Sequence, residues 1–275
     1  MMENNKTVLH FPAQYLKHPL HPVTVTLIGA GGTGCQMLSA LARIHASLVA
    51  LGHMGLSVTV YDPDTVEEAN LGRQLFCESE LGLNKAVALV TRFNRFYGTD
   101  WKAVPRCVER TELQKTNIIV TAVDNIKTRL EVDDFFRLPS SAFGVENECY
   151  YWLDLGNAQR TGQIVLGSTP ACKQPTTLTK YTVVDKMPDA KELLDLENVD
   201  EKDSGPSCSL AEALEKQDLF INSTLANIAG SILWSLFRDE AIETAGCYVN
   251  LDTLRVTPIP VQPIAKKKRT RKCTQ

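Results

Sequence analysis

Residues 61–74, Tyr-Asp-Pro-Asp-Thr-Val-Glu-Glu-Ala-Asn-Leu-Gly-Arg-Gln, place Asp62, Asp64, Asn70, Arg73 and Gln74 just beyond a strand-like run. Acidic groups and an arginine so close together suit a nucleotide, the acids facing sugar hydroxyls and the cation facing phosphates. Upstream, Val23-Thr24-Val25-Thr26-Leu27-Ile28 runs straight into Gly29-Ala30-Gly31-Gly32-Thr33-Gly34, the glycine fingerprint of a nucleotide-binding strand–turn–helix. Gly29, Gly31 and Gly34 permit a tight turn, close approach of backbone to phosphate, and close packing of helix on strand. Free N–H groups at the helix start attract an anion.

A dinucleotide oxidoreductase is the first reading of such a loop, with Asp62 taking the adenosine ribose hydroxyls. Asp62 lies 28 residues beyond Gly34, later than the roughly 20 expected of that motif, and the long intervening helix accounts for the delay. That reading leaves Asn70-Leu71-Gly72-Arg73-Gln74 and Gly82-Leu83-Asn84-Lys85-Ala86 without a purpose. Arg73 and Lys85 supply charge for a triphosphate. Adenylation of a carboxylate needs such fixed charge, because a weak nucleophile attacks the α-phosphorus while pyrophosphate departs. Asp124 follows an apolar run at the carboxyl end of a central strand, where a Mg²⁺ ligand belongs in an open α/β sheet.

The elements that must position these groups follow from hydrophobic periodicity. A helix is expected from about Thr33 to Leu51, with Leu38, Leu41, Leu48 and Val49 at helical spacing, and strands at 56–61, 101–104 and 117–123. A second helix covers Asn84 to Phe96. Beyond Tyr150 two strands joined by a turn, 152–156 and 162–167, replace the strand–helix alternation. The fold class is therefore α/β, a Rossmann-like doubly wound, mostly parallel sheet extended by antiparallel strands in the C-terminal half. Residues 170–206, with four prolines and an acidic stretch, read as a long crossing loop. Helices at 210–215 and 220–237 and closing strands within 248–258 complete the chain. The expected division is a polar leader 1–22, one domain 23–265 with its nucleotide-binding half at about 23–145 and the sheet extension and crossing loop at about 146–265, and a disordered basic tail 266–275.

The chain has 275 residues, 44% of them hydrophobic, enough for a sizeable core. Its net charge of −3 conceals an asymmetry. Lys266-Lys267-Lys268-Arg269-Thr270-Arg271-Lys272 holds six basic residues, leaving 23 basic against 32 acidic residues in the body. Such an end is ordinarily solvated, and the acidic body disfavours nucleic acid except through the tail. The eight cysteines form no CxxC pair, which favours reduced, mostly buried thiols and a cytoplasmic protein over zinc or a disulfide framework. No apolar run reaches the roughly 18 to 20 residues that span a bilayer.

Taken in order, Gly-x-Gly-Gly-x-Gly, Asp-x-Asp-Thr-Val-x-x-x-Asn-Leu-x-Arg-Gln, Gly-x-x-Lys-Ala and Asp124-Asn125 resemble the ThiF-type adenylyltransferases, relatives of the ubiquitin-activating enzymes. The resemblance covers 23 to about 130 strongly and 150–260 more loosely. Gly-Arg-Gln-Leu-Phe, Tyr-Trp-Leu-Asp-Leu-Gly-Asn and Gly-Gln-Ile-Val-Leu-Gly are further similar to PRTRC-system ThiF-family proteins of bacterial mobile elements. The resemblance implies that Gly29, Gly31, Gly32, Gly34, Asp62, Asp64 and Gln74 line the ATP site. It implies further that Asp62 holds the ribose, that Asn70, Arg73 and Lys85 contact phosphates, that Asp124 organises Mg²⁺, and that Asn125 and Arg129 shape the site beside it. The implied substrate is the C-terminal carboxylate of a small ubiquitin-like or sulfur-carrier protein. The implied partners are a second copy, as a homodimer, and a downstream conjugating enzyme.

The sequence departs from that family in two places. Many relatives carry two zinc-binding CxxC pairs, absent here, so no metal beyond Mg²⁺ is expected. Relatives bring an N-terminal arginine into the partner's site, whereas residues 1–22 contain none, and Lys17 is its nearest substitute. Cys208, between the acidic loop and a helix start, reads either as a thioester-forming nucleophile or as a half-buried capping-region thiol. Arg129 reads equally as a helix-surface residue pairing with Asp133. Cys35 reads as a core residue in the first turn of the buried helix, and His45 and His53, which flank that helix, as ordinary helix or cap residues. Two further alternatives stand beside adenylation of a protein C-terminus: a tRNA-modifying relative using the same chemistry, and a nucleotide-binding scaffold without turnover.

Overall fold

A computed structural model of the chain describes residues 6–136, 147–178, 180–194 and 217–263. In chain order the elements are β1 (Val8–Leu9), α1 (Gln14–Lys17), β2 (Val23–Ile28), α2 (Gly32–Ala50), β3 (Leu56–Tyr61), α3 (Lys85–Tyr97), β4 (Lys102–Val104), β5 (Ile118–Thr121) and α4 (Ile126–Phe136). There follow β6 (Tyr151–Asn157), β7 (Thr161–Ser168), β8 (Thr182–Val183), α5 (Ala190–Leu193), α6 (Ile221–Arg238), β9 (Thr244–Asn250) and β10 (Arg255–Pro260). The main sheet has eight strands in the order β10-β9-β7-β6-β5-β2-β3-β4. The pairs from β6 to β4 are parallel, and β7, β9 and β10 add antiparallel neighbours. This is the doubly wound sheet with an antiparallel extension that the strand pattern calls for.

From β2 the chain steps outward to β3 and β4, then returns to place β5 on the other side. The point where strand order reverses therefore lies between β2 and β5, and the carboxyl ends of those strands form the crevice where such sheets take their ligands. Strand alternation sets the two cores. Val23, Val25 and Leu27 face α2, α3 and α6, whereas Ile28, Ile119, Trp152 and Val165 face α4 and α5. Of the expected apolar stripe on α2, Leu38, Leu41 and Leu48 are buried and Val49 is half exposed. Asn84 caps α3 by accepting from the Val87 amide at 3.1 Å, and Gly98 ends it in the left-handed conformation at φ +69°.

Two segments differ from their sequence reading. Residues 8–17, read as part of a polar leader, are packed into the body: Leu9, His10, Ala13 and Leu16 are buried, and β1 pairs in parallel with β8. The strand expected over 117–123 ends at Thr121, because Ala122 and Val123 turn away to face the glycine loop. Part of the crossing loop is ordered as β8 and α5. The expected helix at 210–215 lies outside the described residues, as do Cys208 and the basic tail.

His10 fastens the N-terminal segment. Its backbone exchanges hydrogen bonds with Ile242. Its Nδ1 lies 3.0 Å from the Val184 carbonyl, and its Nε2 lies 3.0 Å from the Tyr151 hydroxyl. The carbonyl requires Nδ1–H, so Nε2 of the neutral ring accepts from the Tyr151 O–H, and that oxygen accepts from the Ala13 amide. Burial lowers the His10 pKa, outweighing the Val184 carbonyl and Asp185. A folded pKa below the unfolded 6.5 means that the unfolded chain binds the proton more readily. The stability contributed by neutral His10 is thus complete above about pH 6.5 and is withdrawn as pH falls below it. Urea unfolding measured between pH 7.5 and 5.5 is expected to show a decline that is shallower in His10→Gln.

Candidate functional site

The glycine loop occupies the crevice between β2 and β5. Gly29 adopts φ +94°, and a Cβ there would lie 2.6 Å from the Ala122 carbonyl oxygen. Gly29 donates its N–H to the Tyr61 carbonyl at 2.9 Å, and Ala122 donates to the Ile28 carbonyl, so the turn is locked to both neighbouring strands. At Gly34 a Cβ would collide with the Gly29 carbonyl, and at Gly32 it would meet the Asn222 amide. Around Gly31 nothing lies within 4 Å of that position. The loop is therefore crowded underneath and open above Gly31, at the start of a 19-residue helix with no acid in its first turn. This is a cradle for an anion.

Asp62 is buried beside the loop and organises it. Its Oδ2 accepts from the Ala30 amide at 2.5 Å and its Oδ1 from the Asp64 amide at 2.8 Å. Each carboxylate oxygen keeps a second lone pair for a hydroxyl donor. Burial raises its pKa, opposed by those two amides and the charge of Lys85. Lys85, in the first turn of α3, donates to Asp64 Oδ2 at 3.0 Å; the lysine is nearly buried and Asp64 largely exposed. Lys85 thus stands on the Asp62 and Asp64 side of the site, ion-paired with Asp64. Asn84 Nδ2 donates to the Asp62 and Asp64 carbonyls, which fixes the loop after β3 against α3.

Arg73 approaches from the other side. Its Nη1 donates to Gln217 Oε1, and its Nε is buried with no acceptor. Burial lowers its pKa, and among the described residues no carboxylate pairs with it. Asn70 is buried, and its amide oxygen accepts from the Glu67 N–H at 2.9 Å to close a 3₁₀ turn; its amide nitrogen is the group suited to a phosphate. Gln74 is buried, donates its N–H to the Asn70 carbonyl, and keeps an unpartnered Oε1. Asp124 is exposed, directly after Val123, which packs on Gly29. Asn125 is exposed as well and caps α4 by accepting from the Thr128 amide.

Arg129 is not the surface residue that a pairing with Asp133 requires. It is buried and donates to Asp154 Oδ1 at 2.9 Å, to the Val123 carbonyl at 2.7 Å and to the Leu155 carbonyl at 3.2 Å. It thereby holds the turn that presents Asp124. Asp133 is buried too, and pairs instead with Lys191 of α5 at 3.2 Å. Lys17 lies 3.9 Å from Glu240, near the far end of α6, whose start touches the glycine loop. At 1.5 Å per residue an 18-residue helix separates those ends by roughly 27 Å, so Lys17 does not reach this site within its own chain.

Thr33, Asn157, Gln217 and Asn222 also belong to the site and were not legible beforehand. Thr33 Oγ1 donates to Asn222 Oδ1 at 2.8 Å and to Asn157 Oδ1 at 3.2 Å. Asn222 Nδ2 donates to Gln217 Oε1 at 3.0 Å. One signal was available: Asn222 falls on the helix face of Leu225, Ala226, Ala229 and Leu233, where the period calls for an apolar residue. Cys35 is buried, its thiol pushed up to about 11 by that burial. His45, in α2, and His53, in the loop after it, lie within hydrogen-bond distance of the backbone carbonyls of Leu56 and Leu16. Among the described residues, no three His, Cys, Asp or Glu side chains converge on a metal position, and no helix is long and apolar enough to cross a membrane.

Known proteins resemble this chain in sequence and in fold. A model of the ThiF family matches residues 11–274. The mouse ubiquitin-like modifier-activating enzyme 6 is 29% identical over 128 residues, 42% of this chain and 12% of that protein. The catalytic subunit of the NEDD8-activating enzyme of Caenorhabditis elegans is 33% identical over 115 residues, 40% of this chain and 25% of that subunit. This chain thus spans a small part of those relatives' length. Escherichia coli MccB, solved with AMPCPP and MccA, shares the fold with a TM-score of 0.57 at 14% identity, over 88% of this chain and 64% of that one.

Proposed function

We propose that this chain, which belongs to the ThiF family, is an ATP-dependent adenylyltransferase that converts the C-terminal carboxylate of a small ubiquitin-like or sulfur-carrier protein into an acyl-adenylate. The observation that carries the reading is the pairing of an open anion cradle at Gly31 with an acid and a cation on either side. Asp62 is pinned to the Ala30 amide, and Arg73 presents a buried Nε without an acceptor. A nicotinamide dinucleotide gives Arg73 and Lys85 no third phosphate to meet.

In the proposed reaction a carboxylate oxygen attacks the α-phosphorus of ATP. The bond from that phosphorus to the bridging oxygen breaks, and pyrophosphate leaves with the electron pair. Asp62 takes the ribose hydroxyls. The amides at the start of α2, with Arg73, Lys85 and the Asn70 amide nitrogen, hold the phosphates and the charge that accumulates on the leaving group. Asn125 and Arg129 act by shaping the turn that carries Asp124. A Mg²⁺ ion fits the donor set, since one carboxylate together with phosphate oxygens is the ordinary environment of that hard cation; Asp124 is its ligand, and the ion supplies further charge neutralisation. Cys208 is the candidate acceptor for a later thioester. A homodimer, a downstream conjugating enzyme, membership of a PRTRC system and a cytoplasmic location complete the proposal. The location is supported by six free cysteines among the described residues.

The test is isotope exchange between pyrophosphate and ATP, run with candidate small proteins ending in Gly-Gly or a similar tail, beside calorimetry with ATP–Mg²⁺ and with NAD. Exchange that depends on one such protein, with ATP bound in preference to NAD, is the expected result. Tight NAD binding without ATP binding sinks the reading. In the same mixtures a hydroxylamine-sensitive adduct that disappears in Cys208→Ser, with exchange retained, assigns the thioester; no adduct despite robust exchange returns Cys208 to a structural role.

A further inference from the structure

The polar cluster at the start of α6 joins Arg73 to the glycine turn through a continuous relay. Thr33 in the first turn of α2 bonds to Asn222, Asn222 bonds to Gln217, and the same Gln217 oxygen receives Arg73 Nη1. Gln217 stands on a fixed base. The adjacent Asp218 donates its N–H to the Gln159 carbonyl at 2.9 Å, and Arg160 lies 3.7 Å from Asp218 while pairing with Asp252 at 2.7 Å. The turn between β6 and β7 and the turn between β9 and β10 thus both hold the segment from which Gln217 projects.

We infer that Gln217 is a positioning residue for Arg73, fixing the guanidinium so that its Nε–Nη2 edge is offered to an oxyanion of a nucleoside triphosphate. The inference rests on the proposed nucleotide site. Arginine is a long side chain with much rotamer entropy, and holding it at one Nη removes a large part of that freedom before the ligand arrives. The choice of Nη1 matters. Nε and Nη2 form the fork that meets phosphate in two parallel bonds, and among the described residues neither has a protein acceptor. The choice of an amide matters equally. Gln217 orients the cation without neutralising it, whereas a carboxylate at the same position would pair with it and withdraw its charge from the ligand. Asn222 serves the amide in turn: by donating to Gln217 Oε1 it keeps the oxygen, and not the NH₂, facing Arg73.

The experiment measures binding of inorganic tripolyphosphate by calorimetry, in the full chain, for wild type, Gln217→Ala, Gln217→Glu, Arg73→Ala and Arg73→Ala combined with Gln217→Ala. Pyrophosphate exchange and thermal unfolding of each are recorded alongside. Gln217→Ala is expected to weaken tripolyphosphate about tenfold, the scale of a hydrogen bond to a charged group. Gln217→Glu is expected to weaken it further, and Gln217→Ala to add nothing once Arg73 is gone. An equal loss in the Arg73→Ala background, or a Gln217→Glu protein that binds as tightly as wild type, overturns the inference. A merely structural role would move the melting temperature and would not depend on residue 73. Wild-type protein that binds tripolyphosphate yet shows no exchange removes the adenylation reading and leaves this one standing. Failure of wild type to bind tripolyphosphate removes both.

Discussion

Arg73→Ala and Asp124→Ala are each expected to lower adenylate formation by a few hundredfold or more while leaving the protein folded. Both residues sit at the mouth of the crevice. Among the described residues, Asp124 is exposed and makes no hydrogen bond that holds an element together, and Arg73 makes one, to Gln217. A fixed positive charge such as Arg73 aimed at a developing oxyanion is worth about 3 kcal/mol, a factor on the order of a hundred or more, whereas Asp124 acts through the Mg²⁺ that it is proposed to hold. Pyrophosphate exchange reads the loss, and circular dichroism with thermal unfolding reads the fold. Near-wild-type exchange in either variant would show that the residue is not part of the phosphate machinery.

Arg129→Ala is expected to act on stability instead, by about 3–5 kcal/mol in urea unfolding. Asp154 is wholly buried, its Oδ1 shared by Arg129 Nε at 2.9 Å and the Thr121 hydroxyl at 2.5 Å, its Oδ2 without a partner. Removing the guanidinium leaves that carboxylate uncompensated inside the protein, the costly way to break a buried pair. Replacing both members by apolar groups, Arg129→Met with Asp154→Leu, should restore most of the loss, because the desolvation of two charges then disappears together. ATP affinity is expected to fall in the single variant, since the Val123 carbonyl beside Asp124 loses its donor at 2.7 Å. If Arg129→Ala unfolds like wild type and yet binds no ATP, the residue touches nucleotide directly and its positioning role is wrong.

The local devices are legible in the amino-acid sequence alone. A strand of alternating Val and Thr, a turn permitted by Gly29, Gly31 and Gly34, the Asn84 cap and Gly98 stop of α3, and the placing of Asp62 at the end of β3 all follow from backbone sterics and side-chain period, which act over a few residues. Tertiary structure decided which distant groups share a face. Thr33 and Asn222 are 189 residues apart, and Arg73 and Gln217 are 144 apart. They meet because α6, which follows β6 and β7 in the chain, packs against α2. Arg129 has an acid at i+4 that sequence spacing favours, but α4 lies with that face on the sheet, where Asp154 projects from β6 and Asp133 turns to Lys191. The N-terminal segment looked polar because its Leu9, Ala13 and Leu16 are too few to make a period, and they are buried only where β8 and α6 supply the other side. A side chain's partner is fixed by sheet order and helix packing, and those arise from the summed burial of the whole chain rather than from any one stretch of it.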